Sequence, residues 1–299
     1  MVDLIILGTI GLDSVKTPFG KIKEGLGGAA VYASVAASFF SKPGIVSIMG
    51  EDFPEAYLQF LSKKGIDLSG IEKQGKTFRW DAFYEFDMNE AKTIKTELNS
   101  LESFKADLPD NYKDAKYVFL ANIDPELQMK VIEQLKNPEF IVLDTMNFWI
   151  ENKKEELIEV IKQVNLLLLN ESEARQLFNT PFLIKAAKEA LKLGPKAVII
   201  KKGEHGSLLF TDDKYFSAPG YPLEEIKDPT GCGDSFGGAL IGYLAKTKDT
   251  SEANLRKAIV YGSVIASYNA EDFSLNRLKT LTEKDIEKRY NEFHDIRKF

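Results

Sequence analysis

The sequence predicts an α/β protein with a mostly parallel central sheet, helices on both of its faces and a small separate β-sheet. Three observations carry this expectation. Short apolar runs alternate with helix-like segments along most of the chain, two stretches interrupt that rhythm with strand-like sequence and no helix, and no Gly/Ser linker divides the 299 residues.

The apolar runs are LIILG (4–8), IVSIMG (45–50), YVFLA (117–121), FIVLD (140–144), NLLLLN (165–170) and AVIIKKG (197–203). Each has the pattern of a strand buried on both faces. The segments VYASVAASFF, PEAYLQFLSKKG, PELQMKVIEQLK, ENKKEELIEVIKQ and IKAAKEALKLG lie between them and read as helices. Pro54 and Pro125 stand near helix starts, and Gly65 and Gly194 follow helix ends, where a residue free to leave the helical conformation is favoured. Alternating strands and helices imply parallel crossovers, hence a sheet with helices packed on it.

The interruptions are residues 12–24 (LDSVKTPFGKIKE) and 72–97 (EKQGKTFRWDAFYEFDMNEAKTIKT). In TFRWDAFYEF, alternation places Phe78, Trp80, Ala82, Tyr84 and Phe86 on one face, with Arg79, Asp81, Glu85 and Asp87 mostly on the other. A small sheet projecting from the body follows, and its apolar face needs a cover: substrate, another subunit or the core itself. Without repeats or low-complexity runs, the expectation is one domain, 1–299, with lid strands inserted at about 12–24 and 72–97.

Bulk composition narrows the function classes. The chain has 39 basic and 45 acidic residues, a net charge of −6, so no general field favours nucleic acid or an anionic membrane, and any phosphate must be bound locally. One cysteine and two histidines exclude an intramolecular disulfide and a Cys/His metal centre. The amino terminus, MVDLIILGTIG, is too briefly apolar for a signal peptide or spanning helix, so a soluble chain in a reducing cytoplasm is expected.

Residues 228–240, DPTGCGDSFGGAL, hold the densest chemistry. Gly231 and Gly233 precede a helical pattern, Phe236, Leu240, Tyr243 and Leu244, and a glycine loop feeding a helix exposes unpaired N–H groups at the positive end of the dipole. Phosphate suits such a site. Asp234, at the junction, is a poor ligand for an anion but a suitable base for a hydroxyl attacking it; taken alone, the loop equally allows a helix cap.

This segment resembles the second signature of the ribokinase-like, or phosphofructokinase-B-type, carbohydrate kinase family, whose core reads D-T-x-G-A-G-D before a helix. The resemblance implies a ribokinase-like three-layer sandwich and a kinase that moves the ATP γ-phosphoryl group to a hydroxyl of a small sugar or polyol, with a nucleoside as the alternative acceptor. It implies Asp234 as base, Gly231, Cys232 and Gly233 as anion-hole amides, and Asp228 in loop geometry or cation placement. Cys232 stands where Ala is usual; a helix amino terminus can lower a thiol pKa, but a small buried residue is the simpler reading.

Other stretches resemble the family in the same order along the chain. NESEARQL resembles its N-x-x-E motif, implying that Asn170 and Glu173 organise Mg²⁺ through water, although a capping box would give the same pattern. AVIIKKGEHGSLLF resembles the strand, glycine turn and strand beneath the nucleotide, making Lys202, Gly203 and Gly206 nucleotide-site candidates. YGSVIASYNAED resembles the helix and loop flanking adenine, with Ser263 and Asn269 as candidates. On the acceptor side, GTIGLDSV maps the family's hydroxyl-binding acid to Asp13, and GLGGAAVYAS maps its di-glycine to Gly27 and Gly28.

Two departures concern the acceptor. The Asn common in sugar kinases shortly after the di-glycine is missing, and Ala29, Ala30, Val31 and Tyr32 stand there, so Tyr32 becomes an acceptor-site candidate. In LDTMNFW, Asp144 and Asn147 are one residue farther apart than in the commoner D-x-N pattern, and Asp144 is kept as the candidate. Phe78 and Trp80 could stack on a base or on an apolar sugar face. A monovalent cation and a homodimer through the lid are compatible with the resemblance.

Competing readings are a dinucleotide-dependent oxidoreductase, because GLGGAA fits G-x-G-x-x-A, and a non-catalytic sugar or nucleotide sensor. Against the first, the preceding GKIKE is too charged for a buried first strand. No G-x-x-x-x-G-K-[ST] occurs, which disfavours a P-loop kinase.

Overall fold

The computed structural model describes residues 2–212 and 214–298. Strands β1 (Leu4–Leu7), β2 (Gly11–Thr17) and β3 (Gly20–Gly27) precede α1 (Ala29–Ala37); β4 (Pro43–Met49), α2 (Glu55–Lys63), β5 (Asp67–Lys73), β6 (Phe78–Tyr84) and β7 (Ala91–Glu97) follow. The rhythm continues through β8 (Tyr117–Leu120), α3 (Pro125–Gln134), β9 (Phe140–Leu143), α4 (Asn147–Asn152), α5 (Lys154–Ile161), β10 (Leu166–Asn170), α6 (Glu171–Leu177), α7 (Leu183–Leu193) and β11 (Ala197–Lys201). The chain then forms β12 (Ser207–Phe210), β13 (Tyr215–Ala218), α8 (Cys232–Thr247), α9 (Glu252–Ala270), α10 (Asn276–Thr280) and α11 (Glu283–Ile296).

Nine strands make the main sheet, in the order β13-β12-β11-β10-β9-β8-β1-β4-β5. All neighbours from β11 to β5 are parallel, and β12 and β13 add antiparallel pairs at one edge. The continuous apolar runs are explained by two cores, one on each face. Ile6, Phe119, Val142, Leu168 and Ile199 face one core, and their neighbours Leu7, Leu120, Leu143, Leu169 and Ile200 face the other. Burying each such side chain contributes about 1.5–3 kcal/mol.

Helix α1 is apolar all round and buried at every residue, because it lies between the sheet and α8. The contact is close: a Cβ added to Gly238 of α8 would stand 2.1 Å from the Ala33 carbonyl oxygen, and one on Gly237 would stand 2.4 Å from the Phe119 ring. These glycines fix how near α8 comes to the sheet, and therefore where its first turn sits.

Strands β3-β2-β6-β7 form the second, four-stranded sheet. Its hairpins are antiparallel, while β2 and β6 pair in parallel, setting Gly11 opposite Phe78 and Asp13 opposite Trp80. The alternating face ends at Tyr84, for Phe86 lies beyond the strand and is 86% exposed. Residues 72 and 73 close β5 of the main sheet, so the second lid segment starts at Phe78. The dinucleotide reading fails here, because GKIKEGLG is a strand of the lid hairpin and not the first parallel strand of a β-α-β unit.

ENKKEELIEVIKQ does not form a single helix. Lys153, with φ −142°, separates α4 from α5, and its ammonium is drawn to Asp124 at 2.8 Å and Glu126 at 2.9 Å at the start of α3. Among the described residues no helix is long and apolar enough to cross a membrane.

Overfilling the α1–α8 contact is expected to weaken the whole domain: Gly238→Val should cost about 1–3 kcal/mol in urea unfolding, and an unchanged midpoint would mean that the helices separate freely.

Candidate active site

The carboxyl ends of the parallel strands converge on the amino terminus of α8. Asp144 follows β9, Asn170 ends β10 and Lys201 ends β11, with Asn170 and Lys201 directly paired in register. In an open α/β sheet this edge is where ligands bind. The lid brings Asp13 on β2 to the same place, and β3 leads through Gly27 and Gly28 into α1.

Gly231 caps α8 with φ +75°, a left-handed conformation suited to glycine, and a Cβ there would lie 2.4 Å from the Tyr32 ring. No side chain caps this end; the Cys232 N–H donates to the Pro229 carbonyl at 3.1 Å. Asp234 is the third residue of α8. It is half-buried, and the surrounding protein, with the Asp144 charge adding to it and Lys201 opposing it, pushes its pKa up to about 7. A carboxyl poised there can hold or release a proton near neutrality.

Asp13 is buried, and its Oδ2 accepts a 3.3 Å hydrogen bond from the Gly28 N–H. Burial raises its pKa to about 7 against that hydrogen bond, with Asp234 and Asp228 adding to the rise. A Cβ on Gly27 would fall 1.9 Å from Asp13 Oδ2, so that glycine is set by the close pass of β3 over this carboxyl, while Gly28 has φ +96° and a Cβ there would meet the Thr9 carbonyl oxygen at 2.4 Å. The Phe78 ring lies against Gly11, whose added Cβ would be 2.7 Å from Phe78 and 3.4 Å from Asp13 Oδ1. An aromatic ring and a carboxyl thus border the same spot. Tyr32 is buried, and its hydroxyl pKa is held well above the ordinary value by burial, with Asp13, Asp228 and Asp234 acting in the same direction.

The loop is braced from behind. Asp228, buried, accepts from Thr230 N at 3.0 Å and Ser274 N at 3.3 Å. Asn269, fully buried, donates to the Thr230 carbonyl at 2.7 Å. That places Asn269 beneath the loop, not on a surface open to a nucleotide. Ser263 turns its hydroxyl onto its own helix, donating to the Ile259 carbonyl at 3.1 Å. Cys232 lies against the Ala266 carbonyl, and burial pushes its thiol up to about 12, the opposite of activation by the helix end. Tyr84 from the lid shares a 3.2 Å hydrogen bond with Thr230 Oγ1, so lid and loop touch.

Asn170 and Glu173 form the capping box of α6. Asn170 Oδ1 accepts from Glu173 N at 2.8 Å, while Glu173 Oε2 and Oε1 accept from Asn170 N and Nδ2 at 2.7 and 2.6 Å. Burial pushes the Glu173 pKa up to about 8, with Lys201 opposing and Asp144 reinforcing. Among the described residues no three His, Cys, Asp or Glu side chains converge as a metal cage. A buried carboxyl short of positive charge fits a hydrated Mg²⁺ held partly by substrate phosphates better than a direct protein site.

Sequence reasoning missed Lys201. It chose Lys202, which starts the turn to Gly206, where its N–H donates to the Gly206 carbonyl at 2.7 Å, whereas Lys201 Nζ contacts Asp144 Oδ1 and Oδ2 at 2.9 and 2.7 Å in the site. Successive residues of a strand point to opposite sides, so the lysine pair in AVIIKKG carried the signal, but its register did not. Gly203 and Gly206, at φ +54° and +84°, form the turn, and a Cβ on Gly206 would meet the Ala218 carbonyl at 2.1 Å. Asn147 donates to Gln176 outside this cluster.

Comparison with known proteins gives the family. The model of the pfkB family carbohydrate kinase matches residues 2–279. The chain belongs to the pfkB family. A cytidine kinase of Thermococcus kodakarensis is 33% identical over 250 residues, covering 81% of this chain and 89% of that one. The crystal structure of the Methanocaldococcus jannaschii nucleoside kinase superposes with a TM-score of 0.80 at 23% identity, covering 97% of this chain and 99% of that one. An E. coli protein of the same fold, solved in complex with ATP and Mg²⁺, gives a TM-score of 0.80 at 18% identity, covering 98% and 100%. This pfkB member is a phosphotransferase acting on a hydroxyl of a sugar or nucleoside, with the ribokinase-like fold.

The buried carboxyls carry a stability cost. A carboxyl whose folded pKa is near 7 loses stability as pH rises from the unfolded value of 3.8 to about 7, since only the unfolded chain ionises in that window. Asp13→Asn is therefore expected to be more stable than the parent in urea at pH 8, with the gap closing toward pH 4. A parent at least as stable at pH 8 would contradict the raised pKa.

Proposed function

We propose that this pfkB kinase phosphorylates a ribonucleoside, with a pyrimidine nucleoside such as cytidine the preferred acceptor, using ATP and Mg²⁺. The observation that carries the nucleoside reading is the aromatic character of the lid beside the acceptor acid. Phe78 borders the same glycine as Asp13, Tyr84 reaches the catalytic loop, and Trp80, pinned through Nε1 to Thr93 at 3.1 Å, lies between them on β6. Rings suit a nucleobase, while a single carboxyl suits ribose hydroxyls. The names of the two archaeal relatives, cytidine kinase and nucleoside kinase, support it.

In this reading Asp13 accepts hydrogen bonds from the ribose, with Gly27, Gly28 and Tyr32 shaping its pocket. Asp234 takes the proton of the attacking hydroxyl. The oxygen bonds to the γ-phosphorus, the bond from phosphorus to the β,γ-bridging oxygen breaks, and its electron pair leaves with ADP. The amides of Gly231 and Gly233 would face the phosphoryl oxygens, where developing charge is best stabilised, and the Cys232 N–H, which donates to the Pro229 carbonyl at 3.1 Å, would join them only by giving up or sharing that bond. Asn170 and Glu173 would hold Mg²⁺ through water, and the ion supplies charge neutralisation on the phosphates when bound. Lys202, Gly203, Gly206 and Ser263 border the nucleotide side, with Asp228 and Asn269 bracing the loop from behind. The exposed edge strand β7, with Ile94 63% exposed, supports pairing with a second copy through the lid. A cytoplasmic setting goes with this reading.

A coupled ADP-release screen against cytidine, uridine, adenosine, inosine, ribose and fructose tests the acceptor. Nucleosides should exceed free sugars in kcat/KM by at least ~10², and a free sugar as best acceptor would overturn the reading. Asp234→Asn should lower kcat by at least ~10² with little change in ATP affinity. With the parent, kcat/KM should fall as pH drops below about 7, where Asp234 becomes protonated.

A further inference from the structure

We propose that Lys201 is a catalytic residue of the phosphoryl transfer: its ammonium, held by Asp144, reaches past Gly233 and donates a hydrogen bond to the phosphoryl group lying on the loop amides. This rests on the reading of the loop given above as the phosphoryl site.

Three observations converge. Among the described residues, Asp144 is the one side chain that hydrogen-bonds Lys201, and its two oxygens, at 2.7 and 2.9 Å, leave ammonium hydrogen-bonding capacity unused in a largely buried place. Gly233 is not among the glycines with positive φ, so backbone conformation does not demand glycine there. What its bare α-carbon does is leave room: a Cβ would stand 3.2 Å from Lys201 Nζ. Finally, Lys201 is a cation at the positive end of α8, an arrangement that favours an anion between the two.

The charges facing the site make the same point. Carboxyls come from β2 (Asp13), the end of β9 (Asp144), α6 (Glu173), the loop (Asp228) and α8 (Asp234), and among the described residues Lys201 from β11 is the cationic side chain set among them. Burial works against its charge, but Asp144, Glu173 and Asp234 together hold its pKa above the usual lysine value. It therefore stays an ammonium throughout. As the acceptor oxygen bonds to phosphorus and the bridging oxygen departs with its electron pair, the proton goes to Asp234 and none is exchanged with Lys201. Its contribution is electrostatic, through a hydrogen bond that strengthens as charge develops.

The competing account is that Lys201 serves only as the counter-ion of Asp144. Removing one partner of a buried pair leaves the other charge stranded and can unfold the protein, so the test compares Asp144→Asn with the charge-balanced double variant Lys201→Met/Asp144→Asn. Turnover by ADP release is expected to be lower in the double variant than in Asp144→Asn by at least ~10², with KM for ATP and calorimetric ADP affinity changing much less. Binding of ADP with aluminium fluoride and Mg²⁺, which mimics the phosphoryl group in flight, should be at least ~10-fold weaker in the double variant. Equal turnover in the two variants would overturn the proposal and leave Lys201 a counter-ion. If the parent turns over none of the acceptors, the acceptor reading fails instead, and the aluminium fluoride comparison decides for Lys201, equal affinity being the result against it.

Discussion

The first turn of α8 must reach the carboxyl edge of the sheet without a side chain capping it. Much of the surrounding structure serves that constraint. Gly237 and Gly238 let the helix approach the Phe119 ring and the α1 backbone, so its position follows from these close contacts. Gly231 turns the chain under the Tyr32 ring without supplying a capping oxygen. Asp228 and Asn269 satisfy the polar groups of the loop from behind, which keeps its front open to an anion. A Ser or Asp at the cap would be the ordinary stabilising choice, so the bare end is consistent with a place reserved for ligand.

The same crowding produces the unusual acidities. Asp13, Glu173 and Asp234 sit where water is scarce and like charges are near, and all three are raised toward neutrality. A fold selected for stability alone would not gather them. Lys201 offsets part of the repulsion, which explains why a strand otherwise apolar to its last residue ends in lysine.

Much of this was legible in the sequence. Buried parallel strands announce themselves because both faces are apolar, and all six runs became strands of the main sheet. The glycine loop was equally plain, since glycines at a strand-to-helix junction have few purely local explanations. What could not be read was orientation. Lys201 and Lys202 are chemically identical, and only pairing with Asn170 on β10 decides which one faces the site. The break at Lys153 was hidden because its cause, Asp124 and Glu126, is distant in sequence. Asn170 and Glu173 carried two readings that do not exclude one another: the structure makes them a capping box, and that box stands at the carboxyl edge of the sheet with a buried carboxyl.

The contact between Tyr84 and Thr230 ties the lid to the glycine loop. Thr230 also gives its N–H to Asp228 and its carbonyl to Asn269, so the tyrosine holds a residue already fixed within the loop. Any displacement of β6 away from the loop would have to break that hydrogen bond, so the lid and the glycine loop are not mechanically independent.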